Sequence, residues 1–397
     1  MSVTNVLWSI VFFFVQPLFI IGLFYALYNY RKRVKYTRKT FRMNFNKQNF
    51  ELREYLTKGI LPGLLVSALA VGIGIPLTIE WYLIYQVVTI LLLVIGGSRF
   101  IQPIFTFSLS ALVLYGLNEF NIQFPVQWFT PIVPEDYVQL SETFNDSPEL
   151  FMNLILIAVF ILFVSTFFMN KTKEERLYPV IRPTKRGKNI ALYLSNSLWA
   201  LPLVVLVPGE MIESTVSWWP LLTINNNQYA ILVLPLLVGF HFTLSSQTLK
   251  EATTRLQKEF RYLAVFGLLL FGISYFVPLF SRIAVVLLLI GGAFVLIRHR
   301  RRENMWTFRY GPADEGLRVI AVRADSPAER LELSIGDILL EVNDHPLTDT
   351  AEYNQVLAHN RSYIKVRVRR FDGEIVFAET PLYDDDYNNL GLLLLEK

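Results

Sequence analysis

The stretch GLRVIAVRADSPAERLELSIGDILLEVNDHPL, residues 316–347, decides the fold of the C-terminal part of this chain. Its opening run of apolar and β-branched residues predicts a strand over residues 317–323. Ser326, Pro327 and Glu329 then follow the order of a helix N-cap, a first helical position and a capping-box partner. This order predicts that a short helix follows the strand.

The residues that follow continue the pattern of short elements. An apolar run predicts a strand at 338–342, and a second capping box at 349–352 opens a helix that we expect to end near residue 358. Residues 363–369 alternate between apolar and basic side chains, as a strand with one buried face does. An Asp-Gly pair then predicts a hairpin turn, with the returning strand at 374–380.

The quoted stretch resembles the central signature of bacterial PDZ domains. In that family a strand runs into Ser-Pro-Ala, a short helix, Gly-Asp and a strand that ends in Val-Asn. The resemblance covers roughly residues 306–382 and departs at Glu332, where the family commonly has glycine. It implies a domain that binds an extended or apolar C-terminal peptide as an added strand at a sheet edge, beside a helix. Ser326 fits this pattern as a helix cap rather than as a catalytic nucleophile.

Two segments are candidates for the wall of the peptide groove, because no Gly-containing apolar loop precedes residue 317. In one interpretation, residues 390–392 form the loop that holds a ligand's carboxylate, and residues 390–395 line the groove. In the other, residues 390–395 only complete the sheet, and residues 305–310 form the groove. Gly391 suits the first, because glycine lets several amides converge on an anion. The candidate peptide-binding residues are Leu390, Gly391, Leu392, Tyr353, Val356 and Leu357.

The composition of the remaining chain indicates an integral membrane protein. Of the 397 residues, 53% are hydrophobic, the mean hydropathy is +0.39, and the apolar residues form long runs. The absence of cysteine excludes disulfides, thiolate metal sites and cysteine nucleophiles. A formal net charge of +4 is too small to indicate nucleic acid as a partner, and no motif indicates a cofactor.

We predict an α-helical polytopic membrane domain over residues 1–302 and a small α+β PDZ-type domain of the permuted bacterial type over residues 303–397. A membrane-crossing helix needs about 20 apolar residues. Nine such spans are predicted, at residues 6–28, 59–79, 81–97, 100–117, 150–169, 190–207, 229–246, 262–280 and 283–297. Three of them are short, so seven or eight spans remain possible.

The charges between the apolar runs predict the orientation of the chain. Lys and Arg concentrate in residues 31–58, 170–189, 249–261 and 298–302, which the positive-inside rule places in the cytoplasm. Residues 118–149 and 208–228 contain no Lys or Arg and are predicted to be external. We therefore expect a multi-pass protein of the bacterial cell membrane with its N-terminus outside and its C-terminus in the cytoplasm.

The basic segment after the first span has two interpretations. It can lie along the inner leaflet, where each Lys or Arg near an anionic surface contributes about 1 kcal/mol, or bind a partner protein. Alternatively, it only sets the topology. Its basic residues are Arg31, Lys32, Arg33, Lys35, Arg38, Lys39 and Arg42.

Several residues inside the predicted spans are candidates for a transport or catalytic role. Prolines there indicate either broken helices along a substrate path or packing kinks, and they are Pro62, Pro76, Pro103, Pro202, Pro235 and Pro278. His241 is ionisable within a span and is therefore a functional candidate, although a neutral histidine bonded to a neighbour is the more common arrangement.

No protease motif is complete in the sequence. None of the four histidines belongs to a His-Glu-x-x-His zinc motif. The nearest approach to a rhomboid-type Gly-x-Ser-Gly is GGSR at residues 96–99, where Arg99 breaks the motif and Ser98 lies at a predicted turn. The sequence therefore predicts a protein that is not an enzyme.

The whole arrangement resembles the MinJ family of polytopic cell-division proteins of Gram-positive rods. The resemblance rests on many apolar spans, a basic first cytoplasmic segment, an RHRRR exit and a single C-terminal PDZ domain. It implies a membrane scaffold in division-site selection at septum and poles, with DivIVA and MinD as partners. The alternative is an accessory or regulatory subunit of a membrane transporter or protease, for which a fluorescent fusion would show a uniform membrane signal.

Overall fold

The structure, a computed structural model, describes most of the chain. The described residues are 11–41, 49–122, 147–169, 177–184, 187–213, 219, 228–305, 308–323, 325–359, 362–383 and 390–396. Within them, helices surround a long β-hairpin, and a six-stranded sheet with two helices follows.

The first part of the chain is mainly helical. Its helices are α1 (Pro17–Phe41), α2 (Phe50–Thr57), α3 (Ile60–Ile73), α4 (Ile79–Gly96), α5 (Pro103–Glu119), α6 (Pro148–Met169), α7 (Leu249–Phe276) and α8 (Phe280–Met305). Among the described residues, five helical stretches are long and apolar enough to cross a bilayer. They are Phe50–Ile73, Ile79–Phe100, Pro148–Met169, Leu249–Phe276 and Phe280–Asn304. The prediction of about nine spans is therefore not confirmed.

The predicted helices at 190–207 and 229–246 are wrong, because both segments are strands. Strand β2 (Asn189–Glu213) pairs with β3 (Gln228–Leu244) in an antiparallel hairpin, and β1 (Tyr178–Pro183) pairs with the first residues of β2. Both segments are apolar over most of their length, and a long apolar run fits a buried strand as well as a buried helix.

Helices α2 and α3 lie along β2 and match the length of its part between Ser197 and Leu206. Ser197 Oγ donates to Glu54 Oε2 at 2.5 Å near one end, and Leu77 N donates to Leu206 O at 2.8 Å near the other. Nine strand residues cover about 30 Å, and about twenty helical residues cover the same distance. This distance equals the thickness of a bilayer's hydrocarbon core.

The hairpin hides its backbone polar groups within the protein, which lipid requires of any irregular backbone. Pro202 faces Pro235 across the two strands, and neither residue has an N–H group to leave unpaired. At the β2 edge, Val204 N donates to Ser67 Oγ at 2.9 Å. A Cβ on Gly63 would lie 2.6 Å from Pro202 O, so α3 approaches the strand through a glycine.

The six prolines noted in the sequence lie at element boundaries or in strands. Pro62 lies in the first turn of α3, and Pro103 begins α5. Pro76 follows the left-handed cap of α3 at Gly74, and Pro278 lies between α7 and α8. Pro62 follows the interruption between α2 and α3 inside the stretch Phe50–Ile73, which agrees with a broken helix there. For the other five prolines, the interpretation as breaks or kinks inside membrane helices is wrong.

The C-terminal part has the strands that the sequence predicts. They are β4 (Leu317–Val322), β5 (Ile338–Val342), β6 (His345–Pro346), β7 (Tyr363–Arg369), β8 (Ile375–Pro381) and β9 (Leu392–Leu395), with helices α9 (Pro327–Arg330) and α10 (Thr350–His359). The sheet order is β8-β7-β5-β4-β9, with β6 paired to β5.

The two predicted capping boxes form differently from expectation. Ser326 Oγ donates to Arg323 O at 2.6 Å, and it makes no cap hydrogen bond to α9. Ahead of α10, Asp349 Oδ1 accepts from Glu352 N at 2.7 Å, while Glu352 Oε2 accepts from Thr348 N. The prediction of the first capping box is therefore wrong. The second box forms with one difference, because Glu352 accepts from the N–H group of Thr348 rather than from that of Asp349.

The base of the hairpin contacts the C-terminal sheet directly. Tyr193 Oη on β2 donates to Ile320 O on β4 at 2.6 Å, and its ring meets Tyr310 edge-on at 4.6 Å. Ala191 N donates to Tyr310 O at 3.0 Å. Ile320 and Leu395 belong to the same buried cluster as the helical part. The sheet is thus packed against the hairpin rather than attached by a linker alone.

Candidate peptide-binding groove

Strand β9 lies at the edge of the C-terminal sheet, next to β4. The two strands run antiparallel, with Val322 opposite Leu392 and Arg318 opposite Leu395. The sheet path ends at β9. The described part of 305–310 contains the end of α8 and a turn but no strand. Leu392 of β9 shares a buried core with Tyr353 and Leu357 of α10.

The turn before β9 is fixed by two backbone hydrogen bonds. Arg323 N donates to Gly391 O at 2.8 Å, and Ala328 N donates to Leu390 O at 3.0 Å. Gly391 has a φ of +81°, and a Cβ there would lie 2.5 Å from Ser326 Oγ. Only glycine fits this position without strain. In the described chain, Gly391 is thus held by packing against Ser326, independently of any bound anion.

Helix α10 closes the other side of the groove. Tyr353 and Leu357 are each only 7% exposed and pack in the same core as Leu390 and Leu392. Burial raises the pKa of the Tyr353 phenol well above its usual range, so this side chain stays neutral. These four residues hold β9 against α10 and leave little surface for a ligand.

The half-buried apolar residues of the groove are Val356 on α10 and Leu394 on β9. Both pack against the edge of the C-terminal core. Sequence reasoning selected Val356 but not Leu394, because residues 392–395 are four consecutive leucines and show no alternation that would single out one of them. Val356 and Leu394 are the apolar side chains that an added strand would meet.

The far end of the groove is closed by Glu396. Its Oε2 accepts hydrogen bonds from Thr350 Oγ1 at 2.8 Å and from Thr350 N at 3.3 Å, at the start of α10. A carboxylate at a helix N-terminus interacts favourably with the exposed N–H groups there. The sequence analysis did not identify this contact, since the two residues lie 46 positions apart.

The predicted basic loop is the continuation of α1, so its description as a loop is wrong. Arg33 is buried and forms an ion pair with Glu51, with Nε to Oε1 at 2.6 Å. It is not available to a lipid or a partner. Arg42 lies outside the described residues. The exposed basic residues of α1 are Arg31, Lys32, Lys35, Arg38 and Lys39.

The residues considered for catalysis do not form a catalytic arrangement within the described chain. Ser98 is buried and hydrogen-bonds with Asn196 Oδ1. His241, on β3, lies 3.5 Å from Thr243 Oγ1, which agrees with a histidine bonded to a neighbour. No three His, Cys, Asp or Glu side chains of the described residues are grouped closely enough to hold a metal ion.

Comparison with known proteins gives one match to the C-terminal domain and others to longer parts of the chain. A PDZ-domain family model matches residues 318–370. Along nearly the whole chain, the cell division topological determinant MinJ of Bacillus subtilis (strain 168) is 29% identical over 391 residues, which is 97% of this chain and 93% of that protein. A probable cell division topological determinant MinJ of Lacticaseibacillus paracasei is 28% identical over 229 residues, 56% of this chain and 59% of that protein. The chain is therefore similar to MinJ along nearly its whole length, and its C-terminal part matches a PDZ domain.

Proposed function

We propose that the protein is a membrane-embedded scaffold in division-site selection, which recruits cytoplasmic division proteins to the pole and the septum. The observation that carries this proposal is similarity over almost the full chain to a protein named as a cell division topological determinant. The relative's name describes placement rather than catalysis, in agreement with a non-enzymatic role.

The PDZ domain supplies a mode of recruitment. A partner segment would add as a strand along the outer edge of β9, and its apolar side chains would contact Val356 and Leu394. Backbone hydrogen bonds would supply much of the affinity, and these two side chains would supply selectivity. By the MinJ resemblance, the partners are DivIVA and MinD.

Recruitment also needs a fixed position relative to the membrane. The contact between Tyr193 and Ile320 holds the sheet on the hairpin base, so a peptide bound at β9 would stay close to the bilayer surface. The exposed basic residues of α1, such as Arg38 and Lys39, supply a second cytoplasmic surface for lipid or partner in this proposal.

Val356→Glu tests recruitment through the groove. A carboxylate at this position would lose its water when an added strand covers it, so we expect co-purification of DivIVA and MinD with the full-length protein to fall more than about tenfold. Asn354→Glu is the matched control, because it adds the same charge at an exposed position of the same helix. Equal co-purification by both variants would exclude the groove as the recruitment site.

A fluorescent fusion in the same strains tests the role itself. The scaffold proposal expects signal at septa and poles for the wild type and for Asn354→Glu. A uniform membrane signal for the wild type would contradict the scaffold and favour the accessory subunit of a transporter or protease.

A further inference from the structure

A large cavity lies where the helical part meets the PDZ domain. Its volume is about 1520 Å³, and its walls come from β1, β2, β3, the turn after α4 and the last turns of α8. The PDZ domain borders it through residues just ahead of β4, including Gly311 and Pro312. The peptide groove at β9 does not contribute to it.

Cationic and imidazole side chains dominate the polar lining of this cavity. Arg99, His241 and His299 are half-buried in its interior. Exposed basic residues at its rim are Arg182, Lys188 and Arg300. No carboxylate of the described residues lies within salt-bridge distance of these four Arg and Lys side chains, whereas several other basic residues of the chain are paired.

Glu303 is the acidic side chain of the lining, and its carboxylate already accepts hydrogen bonds from the protein. Its Oε2 accepts hydrogen bonds from Ser245 N at 2.8 Å and Ser246 N at 3.1 Å. Its Oε1 accepts from Gln247 Nε2 at 2.6 Å. These neutral donors stabilise the carboxylate but do not remove its charge. One carboxylate against four Arg and Lys side chains leaves the lining with an excess of positive charge. That charge is complementary to an anion.

Much of the remaining lining is apolar, which favours an amphiphile over a free ion. Phe100, Ile190 and Leu192 lie on the walls, with Leu296 and Ile297 on α8. Ile297 is 52% exposed and belongs to a helical stretch that can cross a bilayer. The cavity therefore reaches the face of α8 on which lipid chains would lie. An inorganic anion needs no such apolar walls.

We propose that this cavity binds the phosphate head group of an anionic phospholipid. The phosphate lies against Arg99 and the rim residues, and the acyl chains leave along the apolar side of α8. Each Lys or Arg near an anionic lipid attracts its head group, and a pocket between membrane elements concentrates this attraction. The bound lipid links α4, α8 and the β-hairpin beneath the PDZ domain.

Native mass spectrometry of the detergent-purified full chain tests the proposal, with phosphatidylglycerol and phosphatidylcholine of identical acyl chains as probes. We expect the wild type to retain phosphatidylglycerol in preference. Removing two charges in Arg99→Gln/Lys188→Gln should weaken this retention about 30-fold. Lys250→Gln/Lys258→Gln is the matched control, because it removes two exposed charges of α7 outside the cavity, and it should leave retention unchanged.

Three results would overturn the proposal. The cavity variant would bind phosphatidylglycerol as the wild type does, the α7 control would lose it equally, or inorganic phosphate alone would displace it, which would indicate a site for a free anion. If Arg99→Gln/Lys188→Gln fails to fold by circular dichroism, Arg182→Gln/Arg300→Gln decides the question. That pair changes only exposed side chains of the rim and should lose the lipid without loss of structure.

Discussion

At the scale of single residues, backbone conformation decides which substitutions the PDZ domain tolerates. Gly391 and Gly373 both have positive φ values, +81° and +92°. They differ in surroundings, since a Cβ on Gly391 would collide with Ser326, while a Cβ on Gly373 would meet nothing within 4 Å. Alanine at position 373 therefore reports only the cost of a positive φ. Alanine at position 391 reports that cost together with the cost of a steric clash.

We expect Gly373→Ala to lower the free energy of unfolding by about 1 kcal/mol through its left-handed conformation. Gly391→Ala should cost about 1–3 kcal/mol more, because the methyl group must displace Ser326. Hydrogen exchange of the β4–β9 amides in the full chain measures both. Equal losses for the two variants would show that the turn before β9 is not packed against Ser326.

The burial of single residues could be predicted where neighbouring residues in the sequence carry the pattern. The alternation of Ile364, Val366 and Val368 gave β7 with its inward face, because each inward side chain is buried. The partner of Arg33 was not predictable, since Glu51 lies 18 positions away across a segment with no visible pairing signal. A basic run looks solvated in sequence, and only the tertiary fold shows which of its members is buried.

At the scale of elements, the contact between α3 and the hairpin depends on small residues on one face of the helix. Gly63 lies against Pro202, whereas Gly72 of the same helix is exposed and faces open space. Both substitutions by alanine gain the same helix propensity, about 1 kcal/mol. The difference between them therefore reports the packing of α3 against β2.

We expect Gly72→Ala to raise or preserve the midpoint of thermal unfolding of the detergent-solubilised chain. Gly63→Ala should be less stable than Gly72→Ala by about 1–3 kcal/mol, because the added methyl group overlaps the Pro202 backbone. If the two variants unfold at the same temperature, α3 does not pack on the strand as closely as the structure has it.

The two strands of the hairpin are the elements that the sequence misrepresents. Residues 190–207 are apolar except for Ser195, Asn196 and Ser197, so they show neither the period of a helix nor the alternation of a strand. Pro202 and Pro235 were compatible with kinked helices until their cross-strand pairing was known. The strand is stabilised by Gly63, Ser67 and the other groups that cover its edge. All of these groups are distant in sequence, so the sequence pattern of the strand does not show them.

At the scale of the whole molecule, the hairpin decides how many times the chain crosses the membrane. If β2 and β3 both cross, the segment between them lies outside with residues 118–149, and the positive-inside assignment holds for the whole chain. If the hairpin does not cross, that segment lies in the cytoplasm. The natural absence of cysteine makes the two arrangements easy to distinguish.

We expect Asn225→Cys, placed between β2 and β3, to react with a membrane-impermeant maleimide in intact cells. Ser141→Cys should behave in the same way, and Ser362→Cys, exposed on the PDZ domain, should react only after permeabilisation. The cysteine-free parent gives the background. A crossing hairpin would be excluded if Asn225→Cys reacted only in permeabilised cells while Ser141→Cys reacted in intact ones.

The enclosed hairpin has a consequence for biogenesis. A helix can leave the translocon alone, since its backbone bonds are internal, but a strand released alone into lipid would expose unpaired N–H and C=O groups. If the hairpin crosses the bilayer, β2 and β3 must therefore remain within the translocon, or at its edge, until they meet α2, α3 and α4. Insertion of this protein thus depends on the order of synthesis, and chains truncated before β3 should be retained and degraded rather than inserted.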